Sequence, residues 1–446
     1  MKKYIWGDSK IDKDIEEYTI KSDVGLERGA DYHLLPYAIE FEKAYLEFMF
    51  RMGRLNKEDY KRALKALDKI LLEEVDLSGY EDMHSFIDEK VREVIGRSIY
   101  ICRSRNDVIT AIERLYLRDT LDTLTSELYR LYKSLEKKAI ETEGVAAPAH
   151  THYILADAIP LKTYFISYIE ELYNIINLNP LAYNLIYTSP LGSGAIGGCP
   201  LKIDFTWLNR RLGFKYQHVT SVYGVNSRKT HNLIVMNLLS FIMGLMARIS
   251  RDLIRLSTQY GVISLPREFT TGSSQLIHKI NPDILEFIIG LHTQISSSLQ
   301  ILNQHYSEES GYQRFLQLDK SILIRNMKNV IVSIRIMSRL IERLTIRDIF
   351  KPPQDLKMTW IAHEIAWRYN IEYRRLYNEM KKMILRGHSI EDTLEKISRS
   401  HNIDLKELMK LMHTTFERKY NDSLLSDLEE LTSRMEEIFS NLLKNV

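Results

Sequence analysis

Residues 107–143, DVITAIERLYLRDTLDTLTSELYRLYKSLEKKAIETE, decide the fold. Apolar residues recur at Val108, Ile112, Leu115, Leu121, Leu124, Leu128, Leu131 and Leu135, in helical steps of three and four with one gap of six. Neither glycine nor proline interrupts the run, which predicts a single helix on the order of 50 Å long. Working outward, prolines stand at 36, 148, 160, 180, 190, 200, 266, 282, 352 and 353, leaving 37–147, 201–265 and 283–351 free of them. Proline breaks a helix interior at a cost of ~3 kcal/mol, so these gaps permit very long helices. Further helices are expected over Leu161 to Asn179, Arg228 to Tyr260, from Asn281 onward, and from about Tyr312 to Leu344. Helices this apolar must bury one another, which makes a bundle. No alternating pattern is long enough for a major sheet, so the fold class is all-α.

The chain has 446 residues, which predicts two or three domains. The expected division is an N-terminal helical domain over 1–107, a central long-helix bundle over 108–345, and a C-terminal helical domain over 346–446. Apolar residues at 45% and charged residues at 27% exclude wholesale disorder. Lys+Arg 61 against Asp+Glu 59 leaves no basic excess for nucleic acid or a membrane surface, and neither partner is expected. The first eighteen residues, MKKYIWGDSKIDKDIEEY, lack the apolar core of a signal peptide. No uncharged apolar run reaches the ~18 residues a bilayer span requires. Cys102 and Cys199 are too few for a disulfide framework, so a reducing cytoplasm is expected, with Cys102 a small buried residue.

Chemistry belongs where the helical text stops. In Arg103-Ser104-Arg105-Asn106-Asp107, ahead of the longest helix, two arginines could clamp a dianionic substrate, or simply be solvated charges at an N-cap. His150-Thr151-His152 has no third ligand at a useful spacing, so no metal is expected, and an acid/base or substrate-contacting histidine fits better. Gly192–Gly198 resembles a phosphate loop but lacks the Gly-Lys-Ser/Thr ending, and no strand is expected before it. His84 reads by default as a packed or capping histidine. Thr271–Asp283 is a polar loop entering a helix, with Asn281 suited to the N-cap and Pro282 to the first helical position. Lys279 and the helix N-terminus could hold a carboxylate there.

Taken in order, Trp6-Gly7, Glu81-Asp82-Met83-His84, Arg103–Asp107, Pro190–Ala195, Thr271–Glu286 and Tyr312–Lys320 resemble the argininosuccinate lyase branch of the fumarase/aspartase superfamily. The resemblance implies reversible β-elimination, with fumarate released as a C–N bond breaks, and no cofactor. It implies Ser273 as the base, Lys279 and Asn281 as holders of the reacting carboxylate, and the Thr151–His152 pair on the opposite side, with His152 supported by Glu286. Ser104, Arg105, Asn106, Tyr312 and Gln317 match substrate-binding positions. A homotetramer with composite sites, acting on argininosuccinate or a similar small molecule in cytoplasmic arginine biosynthesis, is also implied.

Departures cluster at recognition positions. The usual Met-Pro-Gln-Lys-Lys is Leu276-Ile277-His278-Lys279-Ile280, the usual His-Thr-Gly is Tyr100-Ile101-Cys102, and a common glutamine is Ile154. The acids of another motif are missing from Tyr223–Lys229. Glu42 falls where the family carries a small serine-bearing segment, and is expected to repel a substrate carboxylate. A lyase for another N-succinyl compound and a non-catalytic structural paralogue therefore remain alternatives.

Overall fold

Ser104 and Asp107 start the longest helix. The Ser104 N–H donates to the Asp107 carboxylate at 2.8 Å while the Ser104 side chain caps the first turn, a reciprocal box that satisfies otherwise orphaned donors. In the computed structural model, which describes residues 30–353, 356–411 and 424–443, that helix runs over Arg105–Glu141. Trp6-Gly7 and the rest of the N-terminal segment lie outside the described residues.

The helices that follow are set by their ends. We number them α1 Ala30–Arg51, α2 Lys57–Ile70, α3 Met83–Ile95, α4 Arg105–Glu141, α5 Lys162–Ile176, α6 Asn179–Ile186, α7 Ser221–Thr258, α8 Asp283–Tyr306 and α9 Leu318–Arg343. Pro180, expected only to end a helix, lies in the first turn of α6, where a missing N–H costs nothing. Helix α7 begins ahead of the expected Arg228 because Thr220 caps it, accepting from the Tyr223 N–H. Asn281 is not the N-cap of α8: it pairs with Thr271 in a short antiparallel bridge, and Pro282 takes the cap position. The segment from Tyr312 enters α9 through a 3₁₀ turn over Arg314–Gln317.

Helix α8 lies along α7, α9 packs on α4 and α7, and α5 on α4. One apolar core therefore runs from Ala30 to Leu344. The terminal helix Leu424–Leu443 returns to it, setting Phe439 against Tyr129 and Tyr132 at 5.0 and 5.9 Å between ring centres. A second, smaller core joins residues between Met358 and Leu411. Helix α7 is long and apolar enough to cross a membrane by composition, yet 61% of its most apolar stretch is buried against its neighbours, as a core helix requires.

The class is all-α, as expected, and its longest antiparallel hairpin among the described residues is β1 Ala146–Thr151 with β2 Ile154–Pro160. Its alanines and proline carry little strand propensity, which hid it from the alternation pattern. Thr151 and Ile154 pair, so His152 and Tyr153 form the two-residue tip, with φ of 50° and 63°. A two-residue turn with both φ positive normally takes Asn-Gly, and residues bearing a β-carbon sit there under strain.

Candidate active site

Helix α1 locks onto the bundle through Asp31. Its carboxylate accepts from the Met83 N–H at 2.9 Å and pairs with Lys320 of α9 at 2.7 Å. This brings the start of α3, the start of α4 and the segment before α9 around a cavity of about 240 Å³. Arg105, Asn106, Tyr312 and Gln317, expected at the site from positions far apart in sequence, all line it. Ser104 stands beside them as the cap of α4.

Polar lining residues that the sequence did not single out for the site are Glu81, Asp82, His84, Arg228, Arg314 and Lys320. All but Arg228 lie within the motifs that carried the resemblance, so the signal was present but unassigned. His84 is indeed buried and well packed, yet it also lines the cavity, and its Nε2 has no hydrogen-bond partner. Burial, resisted by Asp82, drops its pKa to about 4, so the ring is neutral near pH 7.

Arg105 is already engaged, pairing with Glu81 at 3.1 Å and Asp82 at 2.9 Å and donating to Ser85 at 2.8 Å. Arg103 takes no part in a clamp. It is buried, paired with Glu42 at 2.8 Å, and its guanidinium lies over the rings of Tyr45 and Tyr100 at 4.3 and 4.2 Å. Glu42 is correspondingly neutralised rather than poised to repel substrate. A buried charge persists only with a partner, and each supplies the other's.

The acidic pair splits in its titration. Asp82, despite a burial that favours protonation, is held at about 2 by Arg105 and His84. Burial, then the like charge of Asp82, pushes Glu81 up to about 7. With its folded value raised above the usual carboxylate range, Glu81 costs the folded state stability as pH rises from that range through about 7. Between about pH 5 and pH 8 the melting temperature of wild type should therefore fall relative to that of Glu81→Gln. Parallel curves for the two proteins would mean that the Glu81 carboxyl is solvated.

The glycine loop seats against the start of α4. Gly194 donates its N–H to Asp107 at 2.9 Å, and Asn106 Nδ2 donates to the Ala195 carbonyl at 2.9 Å. Gly194 has φ of 56°, and a β-carbon on it would lie 3.1 Å from the Gly198 carbonyl oxygen. Gly224, within α7, gives its space to Ser193, whose Oγ stands 1.9 Å from where a β-carbon would be. A two-residue strand, Thr188–Ser189, does precede this loop, pairing with Tyr216–Gln217. Cys102 is not merely a small packed residue: it is disulfide-bonded to Cys199 at the end of the glycine loop.

The remaining expected residues do not line the cavity. Ser273, Lys279 and Asn281 share the hairpin closed by the Thr271–Asn281 and Gly272–Ile280 pairs, and Asn281 Nδ2 donates to the Gly272 carbonyl at 3.3 Å. The Ser273 Oγ accepts from the Gln275 and Leu276 N–H groups at 3.2 and 2.9 Å. Glu286 is exposed on the first turns of α8, and Thr151 and His152 are exposed at the tip of the β1–β2 hairpin. No hydrogen bond or ion pair joins His152 to Glu286 among the described residues of the single chain. His150, by contrast, faces inward and shares a 2.7 Å hydrogen bond with the Tyr260 hydroxyl.

Comparison with known proteins bears on the family and the fold. Residues 11–297 match the family described as Lyase. The argininosuccinate lyase of Caldanaerobacter subterraneus subsp. tengcongensis is 29% identical over 77% of this chain and 79% of its own length. That of Ruthia magnifica subsp. Calyptogena magnifica is 30% identical over 71% of this chain and 68% of its own. Among solved structures, the fumarate lyase:delta crystallin of Brucella melitensis, in a cobalt-bound crystal, superposes with a TM-score of 0.72 over 93% of this chain and 98% of that one, at 17% identity. That match speaks for the fold. The chain belongs to the lyase family, in the argininosuccinate lyase branch of the fumarase/aspartase superfamily.

Proposed function

We propose that the chain is an argininosuccinate lyase, cleaving argininosuccinate reversibly into L-arginine and fumarate. The observation that carries this reading is the cavity itself. Arg105 and Asn106 meet Tyr312 and Gln317 there, four positions matched to substrate binding and separated by most of the central bundle. Its wall gathers the cations Arg105, Arg228, Arg314 and Lys320 beside the Glu81–Asp82 pair, which already holds the Arg105 guanidinium.

In this reading Ser273 removes the proton from the carbon beside the reacting carboxylate. Two backbone N–H groups already donate to its Oγ, which lowers the cost of the alkoxide form. Lys279 and Asn281 hold the carboxylate as negative charge grows on it in the carbanion. The C–N bond then breaks, and the departing nitrogen takes a proton from the His152 side, with Glu286 fixing the imidazole.

These residues lie on elements away from the cavity, so the reading requires a homotetramer in which one chain's cavity meets its partners' loops. Large apolar side chains exposed on the long helices support it: Phe241 of α7, Phe287 of α8 and Val332 of α9 are 54%, 63% and 48% exposed. Such faces are covered in symmetric assemblies. A cytoplasmic role in arginine biosynthesis completes the proposal.

The test is the ultraviolet absorbance of fumarate formed by purified protein from argininosuccinate, with arginine appearing in equal amount. Fumarate from a different N-succinyl compound alone would keep the chemistry and replace the substrate. Release from none would end the reading.

A further inference from the structure

The two cysteines join the segment that leads into Arg105 and Asn106 of the cavity to the glycine loop. Cys102 immediately precedes Arg103–Asn106, and Cys199 closes the glycine loop. Their Cα atoms lie 4.9 Å apart across a sequence separation of 97, within the usual span of a disulfide. The bond sits beside the two hydrogen bonds that tie the same segments, Asn106 to Ala195 and Gly194 to Asp107. Cys102 also has φ of 53°, a left-handed conformation that residues with a β-carbon adopt only when their surroundings impose it. Both cysteines are half-buried, and Ile101, Ala195 and Leu201 around them are exposed, so a small thiol can reach the bond.

We propose that Cys102–Cys199 is a thiol–disulfide modification site that sets the affinity of the neighbouring pocket. Oxidised, it holds Arg105 and Asn106 in register with the glycine loop. Reduced, it lets Cys102 leave its left-handed conformation and slackens the segment. Only its kinetic readout rests on the lyase reading.

The chemistry balances with a low-molecular-weight disulfide as oxidant. One cysteine thiolate attacks that disulfide, forming a mixed disulfide and expelling one small thiolate. The second cysteine then displaces the other, so two protein thiols are oxidised while one small disulfide becomes two thiols. Dithiothreitol reverses the exchange and is itself oxidised to its cyclic disulfide.

The effect belongs to binding, because Ser273, Lys279 and His152 lie on other loops. Tyr45, whose hydroxyl donates to the Ile101 carbonyl, and Glu42, paired with Arg103, still anchor the segment after reduction, so the change is moderate.

Wild-type protein equilibrated with oxidised glutathione should show no titratable thiol, and both cysteines should react after dithiothreitol. Reduction should raise KM for argininosuccinate by about 3- to 10-fold, the range that losing one or two pre-ordered side chains produces, with kcat changed less than about twofold. Cys199→Ser should show the raised KM of the reduced form and ignore dithiothreitol. Cys102→Gly, which suits the left-handed backbone, should do the same if the serine variant folds poorly. Hydrogen exchange of amides 100–107 in wild type should quicken on reduction, whatever the activity. Free thiols in the oxidised sample, or exchange unchanged by reduction, would overturn the proposal, as would an unchanged KM in an active enzyme. Absence of lyase activity in both redox states would instead sink the functional reading, and exchange would still decide this one.

Discussion

Ser273→Ala should lower turnover by at least ~10²-fold while leaving the fold and assembly intact. The serine occupies a largely exposed hairpin and contributes two hydrogen bonds, its Oγ accepting from Gln275 and Leu276. Losing acceptors this close to solvent costs about 1 kcal/mol or less. Losing a positioned base leaves the weak carbon acid to water. Initial rates of fumarate formation, with circular dichroism and sedimentation on the same samples, separate the two effects. Mixed assemblies add a second measurement. If Ser273 and His152 of one site come from different chains, co-assembled Ser273→Ala and His152→Ala subunits should recover part of the activity that each lacks alone. Wild-type rates in Ser273→Ala would remove the serine from its role. Mixed tetramers without recovery would place both residues on one chain.

Glu42→Ser should destabilise the protein by about 3–5 kcal/mol, because it strands a buried guanidinium. The Glu42 and Arg103 side chains are 6% and 3% exposed and bonded at 2.8 Å. Among the described residues Glu42 is the carboxylate bonded to Arg103, and the rings of Tyr45 and Tyr100 meet it only through their faces. Denaturant unfolding measures the loss. The double variant Glu42→Ser/Arg103→Met should recover much of it, since removing both charges avoids the unpaired one. A Glu42→Ser protein as stable as wild type, with improved KM for argininosuccinate, would restore the view that this carboxylate faces substrate.

The long helices were legible because they are local. The apolar spacing after Asp107, the N-cap ahead of it and the placement of prolines each act over a few residues, and the chain folds accordingly. The site was legible as motifs but not as a constellation. Arg105, Asn106, Tyr312 and Gln317 are each legible in their own motif, and nothing in the spacing shows that they share a cavity with Glu81, Asp82 and Lys320.

Errors arose where a partner far away in sequence decided the outcome. Arg103 and Arg105 look alike beside one another, yet one is turned inward to Glu42 and the other lines the cavity. Asn281 has the composition of a cap, but pairing across the hairpin to Thr271 outweighs that local preference. Cys102 reads as a small residue until the glycine loop brings Cys199 beside it. By itself the sequence determined the helical class, the presence of long central helices and the residue types available for elimination, since these follow from periodicity and side-chain chemistry. Tertiary structure alone decided which charges are spent on one another and which face the cavity, because a buried ion chooses its partner through space.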